Sequence, residues 1–185
     1  MSNSSNRAIQ ELPALLPDLN SVNAVIEAYK GCRNKYKYNP ENSLFELHKV
    51  LPMGMFFPFD FGFIPSTVGE DGDPIDVLVM MDEPTFIGCV AKVRLLGVIK
   101  AKQREAQSSK WIRNDRLVGV PLVTHAYREL KDIDAVASAL LFEIEHFFIS
   151  YNAAQNREFK VEGREGVREA MALVKEASTT LAATP

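Results

Sequence analysis

The sequence predicts an α+β fold, a small closed β-barrel followed by two helices packed against it. Two observations carry that expectation. Up to Val120 the chain breaks into short β-branched and aromatic runs punctuated by Gly, Pro, Asn and Asp, as a closed sheet of short strands requires. Beyond Asp132 the apolar residues recur at helical spacing, so strands come first and helices last.

The elements follow in order. Residues 1–22, with Pro13 and Pro17 among scattered leucines, read as an arm laid on the domain surface. The first strand is expected at 22–27, and 34–38 and 44–50 follow, separated by the turn-forming Asn39-Pro40-Glu41-Asn42. The aromatic run 56–63 carries Gly and Pro breaks, and 75–80, 88–100 and 115–120 complete the strands. Asp132 is the expected cap of a helix whose inner face is Ile133, Ala137, Leu140, Ile144, Phe147, Phe148 and Tyr151. Val167, Met171 and Val174 mark a shorter second helix, and 179–185 reads as a flexible tail. The main domain is therefore 23–178, an OB-like barrel with a five-stranded core and two C-terminal helices.

Composition narrows the function. With 46% hydrophobic and 24% charged residues among 185, the chain is an ordinary globular one, long enough for a core without staples. A net charge of −3 argues against a nucleic-acid binder working through a general positive field. No apolar stretch approaches the roughly 20 residues that span a bilayer, so no membrane partner is expected. The polar start lacks the basic and apolar regions of an export signal, and Cys32 and Cys89 imply no disulfide framework. A cytoplasmic location follows.

Asp71, Asp73 and Asp76 fall within six residues, interrupted by Gly72 and Pro74. Carboxylates this close raise one another's pKa unless a cation neutralises them, and a hard divalent metal bound through oxygen is one such cation. Gly72 permits a tight turn and Pro74 stiffens the chain, so that the acids can converge. A solvated turn ahead of a strand is the plain alternative. A calcium loop of the EF-hand kind is not, because Asp82-Glu83 does not complete the pattern and a strand follows instead of a helix.

The segment Asp71-Gly72-Asp73-Pro74-Ile75-Asp76-Val77 resembles the metal-binding signature of the soluble, magnesium-dependent inorganic pyrophosphatases. Met55-Phe56-Phe57-Pro58 with Phe61-Gly62-Phe63-Ile64, then Gly97-Val98-Ile99-Lys100, His146-Phe147-Phe148 and Lys160-Val161-Glu162-Gly163 are similar to that family's landmarks in the same order, so the resemblance spans about 25–174. It implies hydrolysis of pyrophosphate with two or more Mg2+ ions, and a homo-oligomer. Asp71 and Asp76 would ligate metal, Asp73 would be the base for the attacking water, and Lys35, Lys49 and Arg116 would grip phosphate oxygens. Tyr151 would offer its hydroxyl to the departing phosphate, and Glu27 would act in the outer shell.

The sequence also departs from that pattern. Lys37 stands where the family has a metal-holding glutamate and Lys49 where it has an arginine. Phe57 and Phe61 replace tyrosines, and Asn152 replaces a lysine. Gln103 and Asn114 replace aspartates, with Arg116 in place of lysine. Asp115, or else Glu105, is expected to supply a missing ligand if the longer loop 101–113 shifts register. Lys37, on the same strand face as Lys35, is expected to do a metal's charge-neutralising work toward substrate. Three functions compete: an active pyrophosphatase, a non-catalytic phosphate- or nucleotide-binding module, and an enzyme for another phosphoanhydride.

Overall fold

The computed structural model describes residues 9–17 and 21–183. Its first strands are β1 (Ser21–Ala28), β2 (Asn34–Asn39), β3 (Leu44–Val50), β4 (Asp60–Phe63) and β5 (Asp76–Val79). There follow β6 (Val90–Glu105), β7 (Ile112–Arg113), β8 (Arg116–Pro121), helix α1 (Ser138–Ala153), β9 (Arg157–Gly166) and helix α2 (Val167–Ala183).

Five strands close a ring. β1 pairs with β4 and β6, β4 with β5, β5 with β8, and β8 with β6, all antiparallel except β5–β8. This is the expected OB-like barrel, and closure leaves its wall without a free edge. Every residue of β1, β4 and β8 is buried, the polar Ser21, Asn23, Glu27, Asp60 and Arg116 included. Alternation still sorts the wall: Val77 and Val79 of β5 join a cluster with Met171, Leu173 and Val174 of α2. Leu78 and Met80 face the other way, into a cluster with Leu141, Ile144 and Phe148 of α1.

The structure differs from the sequence reading in four places. β2 and β3 form a separate two-stranded hairpin outside the ring. β6 does not stop at Lys100; it continues to Glu105 through what was expected to be loop, and β9 pairs along it. Asp132 caps only a 3-10 turn, Ile133–Ala135, and the helix starts at Ser138. α2 reaches Ala183, into the residues given to a tail, while 184–185 of that tail and 1–8 and 18–20 of the arm lie outside the described residues. Within the described arm, Ala14 is buried and its carbonyl accepts from Asn23 N at 3.0 Å.

Gly62 shows how tightly the ring is drawn. A Cβ there would lie 1.8 Å from the Val25 carbonyl oxygen of the neighbouring strand. Gly62→Ala is therefore expected to cost about 3 kcal/mol, because neither backbone can retreat without opening the β1–β4 pairing. Urea unfolding would read it, and an unchanged midpoint would mean the ring can give.

Candidate active site

Nine Asp, Glu, Lys and Arg side chains line a cavity of about 290 Å³. The hairpin contributes Lys35, Lys37 and Lys49, and antiparallel register sets Lys35 opposite Lys49. β1 contributes Glu27, the turn before β5 contributes Asp71 and Asp73, and Asp76 opens β5. Arg116 opens β8, Asn114 lies just ahead of it, and Tyr151 comes from α1.

The acidic turn is well tied. Gly69 N donates to Asp73 O at 2.7 Å, Gly72 N to Gly69 O at 3.1 Å, and Asp73 N to the Asp71 carboxylate at 3.2 Å. Gly72 has φ +85, a left-handed conformation that only glycine adopts without strain. The run is thus a structured turn that presents its carboxylates to the cavity.

Each of three acids meets a cation. Lys37 Nζ sits 2.7 Å from Asp73, Arg116 Nη1 2.8 Å from Asp76, and Lys35 Nζ 3.5 Å from Glu27. Burial works against the Lys35 ammonium, but Asp76 and Glu27 outweigh it and hold the lysine above its ordinary range. Burial pushes the Glu27 carboxyl up, with Lys35 opposing. Burial also raises Asp71, aided by the charges of Asp76 and Asp73. Lys49 donates to the Gln155 side-chain carbonyl, and burial with the charges of Lys35 and Arg157 brings it down to about 8.

Aromatic rings floor the site. Lys35 Nζ stands 4.9 Å from the Phe61 ring centre, and the Arg116 guanidinium 5.3 Å from that of Phe148. Tyr151, 6% exposed, packs its ring on Phe57 and Phe147. The Arg116 Nε is buried with no acceptor among the described protein atoms.

Most of the residues singled out from the sequence come together here: Glu27, Lys35, Lys37, Lys49, Asp71, Asp73, Asp76, Arg116 and Tyr151. Asp115 is not among them. It lies just ahead of β8 and lines a neighbouring cavity together with Asp71 and Asp76. Its carboxylate accepts from Ala101 N at 2.8 Å and from the Arg113 guanidinium. Asp115 thereby ties the start of β8 to β6. Glu105 pairs with Arg157 at 2.7 Å and also stays out of the cavity. Tyr38, Pro40, His48, Gln155 and Arg157 also line the cavity and had no place in the sequence reading of the site. Gln155 lies four residues beyond Tyr151, and helical spacing could have flagged it.

The donor set suits a hard divalent ion in one way only. Among the described residues, no group of three or more Asp, Glu, His or Cys side chains is arranged to hold a metal. Magnesium needs no such cage, since it keeps waters and takes one or two carboxylates plus phosphate oxygens. Asp71 and Asp76, oxygen donors on one cavity wall, fit that mode.

Carboxylates and ammonium groups interleaved over an aromatic floor define a protein that handles a small multivalent anion. The chain belongs to the inorganic pyrophosphatase family, whose profile matches residues 24–182. It is 35% identical over 161 residues to the inorganic pyrophosphatase of Thermus thermophilus, covering 87% of this chain and 89% of that protein. To the enzyme of Synechocystis sp. it is 33% identical over 168 residues, 91% and 95% of the two chains. The crystal structure of inorganic pyrophosphatase from Thermus thermophilus superposes with a TM-score of 0.84 at 31% identity, covering 95% of this chain and 99% of that one. No helix among the described residues is long and apolar enough to cross a membrane.

Proposed function

We propose that this chain hydrolyses inorganic pyrophosphate to two phosphates by a metal-activated water. The observation that carries the reading is the meeting of Asp71, Asp73 and Asp76 with Lys35, Lys37, Lys49 and Arg116 in one cavity. Pyrophosphate hydrolysis is mainly positioning and charge neutralisation, and this is the apparatus it needs. The relatives named above carry that enzyme's name, and none favours a pure binding module.

Lys35, Lys49 and Arg116 hold phosphate oxygens. Asp73 takes the proton of the attacking water, and Tyr151 donates its hydroxyl to the leaving phosphate. Glu27 keeps Lys35 charged and in place. Asp71 and Asp76 would hold Mg2+, which when bound would acidify the attacking water and shield the anion. The enzyme works in the cytoplasm, where the free thiols Cys32 and Cys89 persist. It assembles as a homo-oligomer, covering apolar side chains such as Met53, Phe86 and Val123 that stand exposed on one chain.

Phosphate release from pyrophosphate, with and without magnesium and with nucleoside triphosphates as rivals, tests the reading; no release from pyrophosphate under any condition would sink it. The Lys49 ammonium gives it a pH signature. A lysine brought down to about 8 is charged below that pH and neutral above it. kcat/KM, which reports the free enzyme, is expected to fall as pH rises through about 8 and to fall at higher pH in Lys49→Arg. Profiles that coincide would remove Lys49 from substrate binding.

A further inference from the structure

A lysine that grips a phosphate oxygen carries its charge on a flexible four-carbon stem, so something must hold it ready before the anion arrives. Lys35 has Glu27 for this, and Lys37 has Asp73. Lys49 is held differently: its ammonium donates to the side-chain carbonyl of Gln155, a neutral amide.

That amide has one orientation. Its Nε2 donates to the Tyr151 carbonyl oxygen at 2.9 Å, and an ammonium can only donate, so the Gln155 Oε1 must face Lys49. The backbone beneath is fixed independently, with Gln155 N donating to Asn152 O at 2.9 Å in the turn between α1 and β9. The Tyr151 ring also approaches the ammonium, its centre 5.9 Å away. From this we infer that Gln155 is a positioning residue of the pyrophosphate site, which tethers Lys49 without neutralising it and leaves its remaining N–H groups to a phosphate oxygen. The inference rests on the pyrophosphatase reading and adds a residue to it.

The neutrality of the tether matters. A carboxylate at 155 would form an ion pair that the substrate must break, and it would set a second acceptor against the Tyr151 carbonyl, which needs a donor. An apolar side chain there would leave Lys49 to be immobilised by the substrate itself, a cost that a tether formed beforehand removes. The charges around Lys49 are Lys35 opposite it in the hairpin, His48 beside it, Arg157 at the start of β9, and Asp76 and Asp73. Burial, Lys35 and Arg157 depress its ammonium, and the two acids oppose them.

Phosphate release from pyrophosphate at saturating magnesium tests the tether through a double-mutant cycle. Gln155→Met removes the acceptor and is expected to lower kcat/KM by about tenfold, mainly through KM, the worth of one hydrogen bond to a charged group. In a Lys49→Met background the same change should have no effect, because the acceptor has nothing to hold. Gln155→Glu should raise KM and move the alkaline fall of kcat/KM up by about one pH unit or more, since a neighbouring carboxylate favours the ammonium. A residue that only shapes the end of α1 would produce neither the coupling nor the pH shift. Both side chains are only partly buried, so the variants should fold. Equal losses from Gln155→Met with and without Lys49, or coinciding pH profiles for wild type and Gln155→Glu, overturn the proposal. If the wild type releases no phosphate, the enzymatic reading falls and the same cycle is read from calorimetric binding of methylenediphosphonate, which cannot be hydrolysed, with magnesium present. A Gln155→Met loss of binding that vanishes without Lys49 then keeps the tether, whereas a loss that persists, or a wild type that binds no diphosphonate, ends it.

Discussion

Asp73→Asn is expected to cut phosphate release by about 10²–10⁴-fold, the range that general-base catalysis contributes. The substitution is nearly isosteric. An amide keeps the turn, because its anchors, Asp73 N on Asp71 and Asp73 O on Gly69 N, are backbone groups. Its side-chain oxygen can still accept from Lys37. Only the ability to take a proton is lost, so the effect should fall on kcat, with thermal stability unchanged. Diphosphonate binding should hold or improve slightly, since a negative charge leaves an anion site. Unchanged turnover would remove Asp73 from the reaction. A fall in metal affinity as large as the fall in kcat would instead make it a ligand.

Arg116→Gln is expected to raise KM for pyrophosphate by about 100-fold, the upper part of the range for a hydrogen bond to a charged group. Arg116 is 3% exposed, clamped between Asp76 and the Phe148 and Phe159 rings, so it has no solvent to fall back on and no freedom to be replaced by a neighbour. Arg116→Lys should recover most of the loss, keeping the charge but not the fork. Breaking a buried pair also costs stability, about 3 kcal/mol, so both variants should be assayed below their unfolding midpoints. If glutamine and lysine raise KM equally, the arginine serves packing and not the anion.

The acidic turn was the most legible part of the site. Its carboxylates, its glycine and its proline lie within one local segment, and φ at Gly72 and the ties to Gly69 follow from residues a few positions apart. Lys35 and Lys37 were legible for the same reason, since alternation on one strand puts them on one face. The surroundings of Asp115 were not legible, because no local pattern holds that Ala101 N binds its carboxylate or that it lines a cavity beside Asp71 and Asp76. The loop expected at 101–113 misled for a similar reason. Lys102, Gln103, Arg104 and Glu105 look like solvated turn until β9 is set beside them, where Lys102 meets Glu162, Arg104 meets Glu158 and Glu105 meets Arg157.

The sequence by itself determined the order of strands before helices, the alternation that gives each strand its inner face, and the turn that gathers Asp71, Asp73 and Asp76. These depend on period and on turn chemistry, which act over a few residues. Only the tertiary structure decided that β1 and β6 close the ring, that the β2–β3 hairpin stands outside it, and that Lys37 and Arg116 meet the acids that would otherwise wait for metal. Those outcomes join residues 36 to 67 positions apart: Lys37 to Asp73, Arg116 to Asp76, and Ala24 to Ala91. A contact of that span is chosen by which partner surfaces remain after the local elements have formed, and no short window of sequence contains both sides of it.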